Sequence, residues 1–203
     1  CHQQGAGFTD PDTFSEGFEG GLTGRNSMGL SNARWYPRGR FFWDERAETL
    51  EEQVLQPIQN EVEMGLTLEE LVVRVQEEPY SDALFIDAFG DDQVTDARIS
   101  RALAQFVRAM ASYSSRFDEG LSDAGTLGAP FANFTAEENQ GKALFVNPPP
   151  LGGMACFICH QGEAFIAVEA TNNGLDADAS LDRGYGGVTG ATIDMTKFKV
   201  PSL

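Results

Sequence analysis

Residues 154–165 read MACFICHQGEAF, and the Cys-x-x-Cys-His run within them brings together three side chains that can ligate a metal or attack an electrophile. The rest of the chain is poor in such groups. Its cysteines are Cys1, Cys156 and Cys159 and its histidines are His2 and His160, so each lies in a Cys-His pair or beside one. Three chemistries compete for the run. A redox dithiol uses Cys156 and Cys159 and leaves His160 idle. A structural zinc site needs four Cys or His ligands, which only Cys1 or His2 could complete from far away in sequence. Attachment of a c-type haem uses all three side chains: two thiolates add to the vinyl groups, and the next residue's imidazole takes the iron. The run meets that pattern in full, and haem attachment is the expectation.

The first residues repeat the signal. The chain opens CHQQGAGF, and 159–165 read CHQGEAF; aligned on Cys-His, both continue with Gln, a small or polar pair, Ala and Phe. Cys1 then reads as the second cysteine of another Cys-x-x-Cys-His, and two such segments imply two haem domains in tandem. The chain is accordingly expected to be a fragment, preceded by residues before Cys1 and followed by more after KFKVPSL.

Loops and helices must position these groups. Residues 3–40, rich in Gly, Ser, Asn, Thr and Phe, read as loops wrapped around a buried object, a part that haem would fill. AETLEEQVL (47–55) reads as a helix stopped by Pro57. In 67–78, Leu68, Leu71, Val72 and Val75 share a helical face behind a Thr67 cap. Residues 81–89 form a shorter helix. The longest is read over 95–117, capped by Thr95, with Ile99, Leu103, Phe106, Val107 and Met110 at helical spacing. Residues 118–134 lack a pattern and read as a connection. Thr135 and Glu138 form a capping box that opens a helix over 135–145, leading into the second Cys-His motif. From 171 onward, including NNGLDAD and DRGYGGVTG, the chain reads as loop again. The fold class is mainly α with long loops.

Composition narrows the partners. In 203 residues, 14 are basic and 31 acidic, a net charge of −17. That argues against nucleic acid and anionic membrane and suits a basic or neutral partner, or simply solubility. The 41% hydrophobic content is ordinary, and no apolar run approaches the ~18 residues of a membrane span. Cysteines confined to Cys-His motifs permit no disulfide framework and fit a bacterial protein exported to the periplasm, where the attachment chemistry belongs.

Taken together, the CH…GF start, GRNSMGLSNA (24–33), FFWDERAETLEEQVLQPIQNEVEMG (41–65), SSRFD (114–118), GKALF…CFICHQG (141–162) and NNGLD…VTG…KFKVPSL (172–203) resemble the bacterial di-haem cytochrome c peroxidase and MauG family. The resemblance runs nearly the whole length. It implies two tandem cytochrome c-like haem domains, here 1–117 and 135–203 joined by 118–134, with two c-type haems and calcium between them. It also implies reduction of hydrogen peroxide with electrons from a small cytochrome c or cupredoxin, and it admits a homodimer. By position, His2 resembles the proximal ligand of the peroxidatic haem and Cys1 its thioether. Cys156, Cys159 and His160 resemble the attachment and ligand of the electron-transfer haem. Gln53, Pro57 and Glu63 match the distal pocket, Trp43 the tryptophan between the haems, and Asn26 a calcium ligand.

The residues themselves allow these roles and plainer ones. Peroxide cleavage needs a group that moves a proton between the two oxygens, and with both histidines spent as ligands a carboxylate is the natural candidate. Glu63 follows a Pro-broken helix between apolar Val62 and Met64, where burial would raise its pKa; alone, it also reads as a solvated Glu beside Glu61. Gln53 can orient peroxide or simply lie on a Glu-rich surface. Trp43 can relay electrons or fill a core, and Asn26 can shape a turn. The family's Met or Tyr ligand to the second haem falls beyond Leu203, as do the remaining calcium ligands. The loop carrying a releasable distal histidine in many peroxidases matches FSEGFEGG, where Phe18 stands instead. Three functions follow in order: a peroxidase, a MauG-like enzyme that oxidises Trp or Tyr of a partner protein, and a non-catalytic di-haem electron carrier.

Overall fold

Hydroxyl side chains open five of the seven helices among the described residues, which in the computed structural model are 1–175, 178 and 180–203. Thr49 caps α1 (Leu50–Gln59), Thr67 α2 (Leu68–Gln76), Thr95 α4 (Asp96–Ala109), Ser115 α5 (Arg116–Ala124) and Thr135 α6 (Ala136–Val146). Each accepts a hydrogen bond from the third helical residue, a contribution of about 1 kcal/mol apiece. Reciprocal capping boxes form at Thr67–Glu70, Ser115–Asp118 and the expected Thr135–Glu138. The uncapped helices are α3 (Ser81–Phe89) and the single turn α7 (Gly186–Thr189). Extended chain among the described residues is limited to isolated bridges, so the fold is mainly helical.

Two apolar clusters hold the first half together. Ile58, Leu71, Phe85, Val94 and Ile99 join α1 to α4, with Leu68, Val72 and Val75 of α2 packed against them on the expected face. Leu50, Ala104 and Val107 form the second cluster, where fully buried Ala104 lets α4 approach α1 closely. Each large side chain buried this way contributes roughly 1.5–3 kcal/mol.

The helix limits differ from expectation at Pro57, within 95–117, and in DRGYGGVTG, where Gly186–Thr189 form a helical turn in a stretch expected to be loop. Pro57 lies inside α1, which runs on to Gln59. A proline removes one amide but need not end a helix whose face is already packed. The helix read over 95–117 is two elements. α4 stops at Ala109, and Ser115 then starts α5, which covers 118–124 of the stretch expected to be patternless. Met110 leaves the helical region because its segment pairs with the loop beside it: Asn32 N donates to Met110 O and Ser112 N to Asn32 Oδ1. On α4, Leu103 and Phe106 are exposed, and the buried line runs through Ile99, Ser100, Ala104 and Val107. The loop expectation for NNGLDAD extends over Asp176 and Ala177, which lie outside the described residues.

Candidate functional site

The two histidines sit in turns of one design. After His2, Gln3 pairs with Thr9 in an isolated bridge, and His2 Nδ1 lies 2.9 Å from Phe8 O. After His160, Gln161 pairs with Ile166, and His160 Nδ1 lies 3.1 Å from Phe165 O. Phe8 (φ 59°) and Phe165 (φ 52°) both adopt the left-handed conformation that aims these carbonyls inward. A carbonyl can only accept, so Nδ1 carries the proton and Nε2 keeps its lone pair, as an imidazole that ligates metal requires. The likeness read between CHQQGAGF and CHQGEAF is therefore a likeness of structure too.

A cleft of about 350 Å³ opens beside the first turn. His2, Asn26, Trp43, Gln53, Pro57 and Glu63 all line it, so six residues singled out in the sequence meet around one space. Its apolar wall comes from Leu30, Ala33, Phe41, Leu50, Val107 and Ile166. A flat apolar macrocycle with an iron to be ligated suits such a wall and a free imidazole Nε2.

Gln53 and Pro57 stand one helical turn apart on one face of α1, and Pro57, having no N–H, leaves Gln53 O without its usual helical donor. The turn after α1 places Glu63. Asn60 Oδ1 accepts from Val62 N and Glu63 N, and Asn60 O accepts from the amides of Glu63, Met64 and Gly65. The loop at 15–23 braces this turn through Phe18 N, which donates to Glu63 O (3.1 Å). Two glycines make that fit. A Cβ on Gly17 would lie 1.6 Å from Val62 O, and one on Gly65 (φ +63°) would meet the Phe18 ring at 2.4 Å. Phe18 itself is exposed and packs on Gly65, outside the cleft lining. Val62 and Met64 are exposed as well, which corrects the expectation that they bury Glu63. Glu63 is half-buried, and among the described residues neither its carboxylate nor the Gln53 amide has a hydrogen-bond partner.

Trp43 is pinned at both ends. Its indole N–H donates to Asn26 O (2.8 Å), and its own carbonyl accepts from Lys199 N (2.8 Å). The Asn26 amide is a strut: Oδ1 accepts from Thr9, and Nδ2 donates to Asp10 O and Asp12 O. Among the described residues no three of His, Cys, Asp and Glu gather as a metal-binding group. Next door, Arg25 clamps the two ends of the chain together. Its Nε and Nη2 grip Asp182 and its Nη1 grips Asp44, each at 2.7 Å, which raises the Arg25 pKa and lowers that of Asp182.

The second motif is built by a single 3-10 turn, Cys156–Ile158, with the amides of Cys159 and His160 both donating to Cys156 O. Its three chemical groups do not line the first cleft. They stand instead beside aromatic rings: Phe145 lies 6.4 Å from the His160 ring and 5.7 Å from Phe165, which in turn packs on Phe117 at 4.8 Å. No residue of α6 is buried, and Leu144, Leu151, Met154 and Ile158 are exposed around the motif. This apolar setting suits a second macrocycle. No two of the three cysteines are joined in a disulfide.

Sequence reasoning passed over a buried polar group behind Trp43. Tyr36 donates its hydroxyl to Glu45, which is fully buried, and Arg38 Nε lies 3.0 Å from the other Glu45 oxygen as an ion pair. That oxygen has no aligned hydrogen bond. Lys199, 8% exposed, lays its ammonium over the Tyr36 ring and lines the cleft. Burial and the neighbouring carboxylate push the Tyr36 pKa up, and burial lowers that of Lys199 to about 8. Nothing in the sequence marks them: Tyr36 and Glu45 are nine positions apart, and Lys199 joins them from 163 positions beyond Tyr36.

The family model described as di-haem cytochrome c peroxidase matches residues 1–125, and the chain belongs to that family. It is 32% identical over its full length to a methylamine utilization protein MauG of Methylorubrum extorquens, spanning 54% of that protein. It is equally 32% identical to a cytochrome c551 peroxidase of Nitrosomonas europaea, spanning 58% of it. The chain thus covers a little over half the length of these curated relatives. Among solved structures it resembles a MauG-like protein associated with microbial copper homeostasis, with TM-score 0.80, 28% identity, and coverage of 100% of this chain and 61% of that one. The diheme peroxidase BthA from Burkholderia thailandensis, at 22% identity and TM-score 0.70, shares the fold over all of this chain and 59% of its own. No described helix is long and apolar enough to cross a membrane.

Proposed function

We propose that the protein containing this chain is a periplasmic di-haem peroxidase that reduces hydrogen peroxide to water. The observation that most supports this is the meeting of His2, Gln53, Pro57 and Glu63 around one cleft. One haem held by Cys1 and His2, and a second by Cys156, Cys159 and His160, would supply the iron redox chemistry. The rest falls to side chains. Phe8 O and Phe165 O hold the protons on Nδ1 and leave Nε2 of each histidine with the lone pair that would ligate an iron. Glu63 takes the proton from the near oxygen of peroxide and returns it to the far one, which leaves as water. The Gln53 amide, free of other partners among the described residues, orients the peroxide. Leu30, Phe41 and Val107 keep bulk water from the reacting oxygens. Trp43, fixed by Asn26 and by the backbone of Lys199, is the side chain between the two haem domains, 1–117 and 135–203, that carries electrons inward.

Two electrons and two protons balance each peroxide to two waters. The electrons come from a small cytochrome c or cupredoxin, whose basic face would answer the chain's net charge of −17. Calcium belongs to the same reading, beside Asn26, whose Oδ1 accepts one hydrogen bond and keeps a lone pair for a cation. The test is steady-state reduction of peroxide by the full-length holoprotein with reduced cytochrome c or cupredoxin. Rapid turnover supports a peroxidase. The MauG-like reading, oxidation of Trp or Tyr on a partner protein, draws on equal identity to relatives of both names. It would be selected by negligible donor turnover together with peroxide-dependent oxidation of a partner's side chains. Two irons inert to peroxide would leave an electron carrier.

A further inference from the structure

Three cations line the cleft, and two of them are already matched. Arg25 is shared between Asp44 and Asp182, and Arg46 pairs with Asp44 while stacking on Phe42. Lys199 is different. It is more than nine-tenths buried, and among the described residues its Nζ makes no hydrogen bond and no ion pair. The carboxylate whose charge acts on it, Glu45, is claimed by the Tyr36 hydroxyl and by Arg38. Burial lowers the Lys199 pKa to about 8 although Glu45 pulls it the other way, so its ammonium is held without adequate compensation. A buried cation of this kind calls for an anion within its reach, and Lys199 itself contributes to the lining of the cleft. A haem brings two carboxylates as propionates, and the cleft's own carboxylate, Glu63, lies on a separate turn after α1.

We propose that Lys199 is the counter-ion to a propionate of the haem seated on His2. The inference rests on the haem at His2 argued above and adds to it a contact that reaches from the second Cys-His half of the chain. Lys199 is well held for this purpose. Its backbone N–H donates to Trp43 O, and three residues on, Ser202 Oγ donates to Ala164 O while accepting from Asn32 Nδ2. The segment that carries the ammonium is thereby fastened to both halves. A cation fixed against the propionate favours the reduced, less positive state of the iron, so Lys199 raises the reduction potential of that haem and leaves the other alone.

The experiment is a spectroscopic redox titration of the full-length holoprotein and of Lys199→Met and Lys199→Arg, with the two haems assigned by the band that His2→Gln perturbs. Haem content is counted first. In Lys199→Met with both haems attached, the reduction equilibrium constant of the His2 haem should fall about tenfold, a shift of about 59 mV for one electron. The other haem should not move, and Lys199→Arg should keep the wild-type value. No shift, a shift of the other haem or of both together, or an equal fall in Lys199→Arg would overturn the proposal. A wild-type count of one haem would instead overturn the reading beneath it. Should Lys199→Met lose haem, Lys199→Gln is titrated in its place. Loss in both neutral variants but not in Lys199→Arg upholds the need for charge, and loss in Lys199→Arg as well reduces Lys199 to packing and refutes it.

Discussion

Replacing Glu63 with Gln keeps the shape of the side chain and removes its ability to carry a proton. The structure sets the size of both consequences. Among the described residues lining the cleft Glu63 is the one carboxylate, and both histidines have Nδ1 committed to a carbonyl and Nε2 reserved for iron. No second carboxylate or uncommitted imidazole stands ready to take over, which places the loss in the usual range for a general acid–base group, roughly 10²–10⁴-fold in turnover. That is about 2.7–5.4 kcal/mol of barrier. Stability should hardly change. The contacts that shape this turn run through the backbone of Glu63, to Asn60 and Phe18, and its half-exposed carboxylate binds no protein group among the described residues. A change within about 0.5 kcal/mol is expected. The assay is stopped-flow and steady-state peroxide reduction by holoprotein of verified haem content, beside urea denaturation of the same sample. Turnover near wild type with both haems in place would refute the reasoning, because the proton would then move by a route that avoids Glu63. A large loss of stability would equally show that the carboxylate has a structural partner.

Pyridine haemochrome analysis of the intact protein should give two covalently attached haems per chain, and a count of one, or zinc in place of iron, would contradict the twin Cys-His turns. Electron paramagnetic resonance of the oxidised protein should show one high-spin ferric haem that reacts with peroxide before any reduction, since Phe18 packs on Gly65 outside the cleft and cannot bind iron. Two low-spin signals with no such reaction would point to another ligand, and Met28, which lines the cleft, would be the first to replace. Arg25→Met should lower stability by about 1–3 kcal/mol, less than for a fully buried pair because Asp182 is partly exposed. Asp182 has its pKa depressed in the folded state, so the clamp's contribution is complete above the ordinary aspartate value of about 4 and fades as pH falls through the lowered one. An Arg25→Met denaturation curve that matched wild type at pH 7 would show the clamp to be idle.

The helices were legible where local chemistry decides them. Thr67, Thr95 and Thr135 cap the helices they were expected to cap, and the apolar face of α2 packs as its spacing implies. The misreadings arose where tertiary contacts overrule periodicity. Ile99 through Met110 keeps a helical rhythm that would run on to 117, yet Asn32 takes the amide of Ser112 and the carbonyl of Met110 and ends α4 early. Pro57 carries a local stop signal, but α1 already packs through Leu50 and Ile58 against its neighbours, so the helix continues past it.

The site was legible for a different reason. Cys-x-x-Cys-His is a chemical sentence complete in five residues, and Gln53, Pro57 and Glu63 stand near one another in sequence because one helix and its following turn present them all. What could not be read were the groups assembled from opposite ends of the chain. Lys199 covers Tyr36 and joins the cleft lining because Trp43, Asn32 and Ala164 hold its segment there, and Arg25 finds Asp182 only in the folded protein. These long-range contacts share one property: each ties the second Cys-His half to the wall of the first cleft. The proposed peroxidase, in which electrons would enter at one haem and be spent at the other, would need its two halves held in fixed relation. The least legible residues are therefore those on which coupling between the haems would depend.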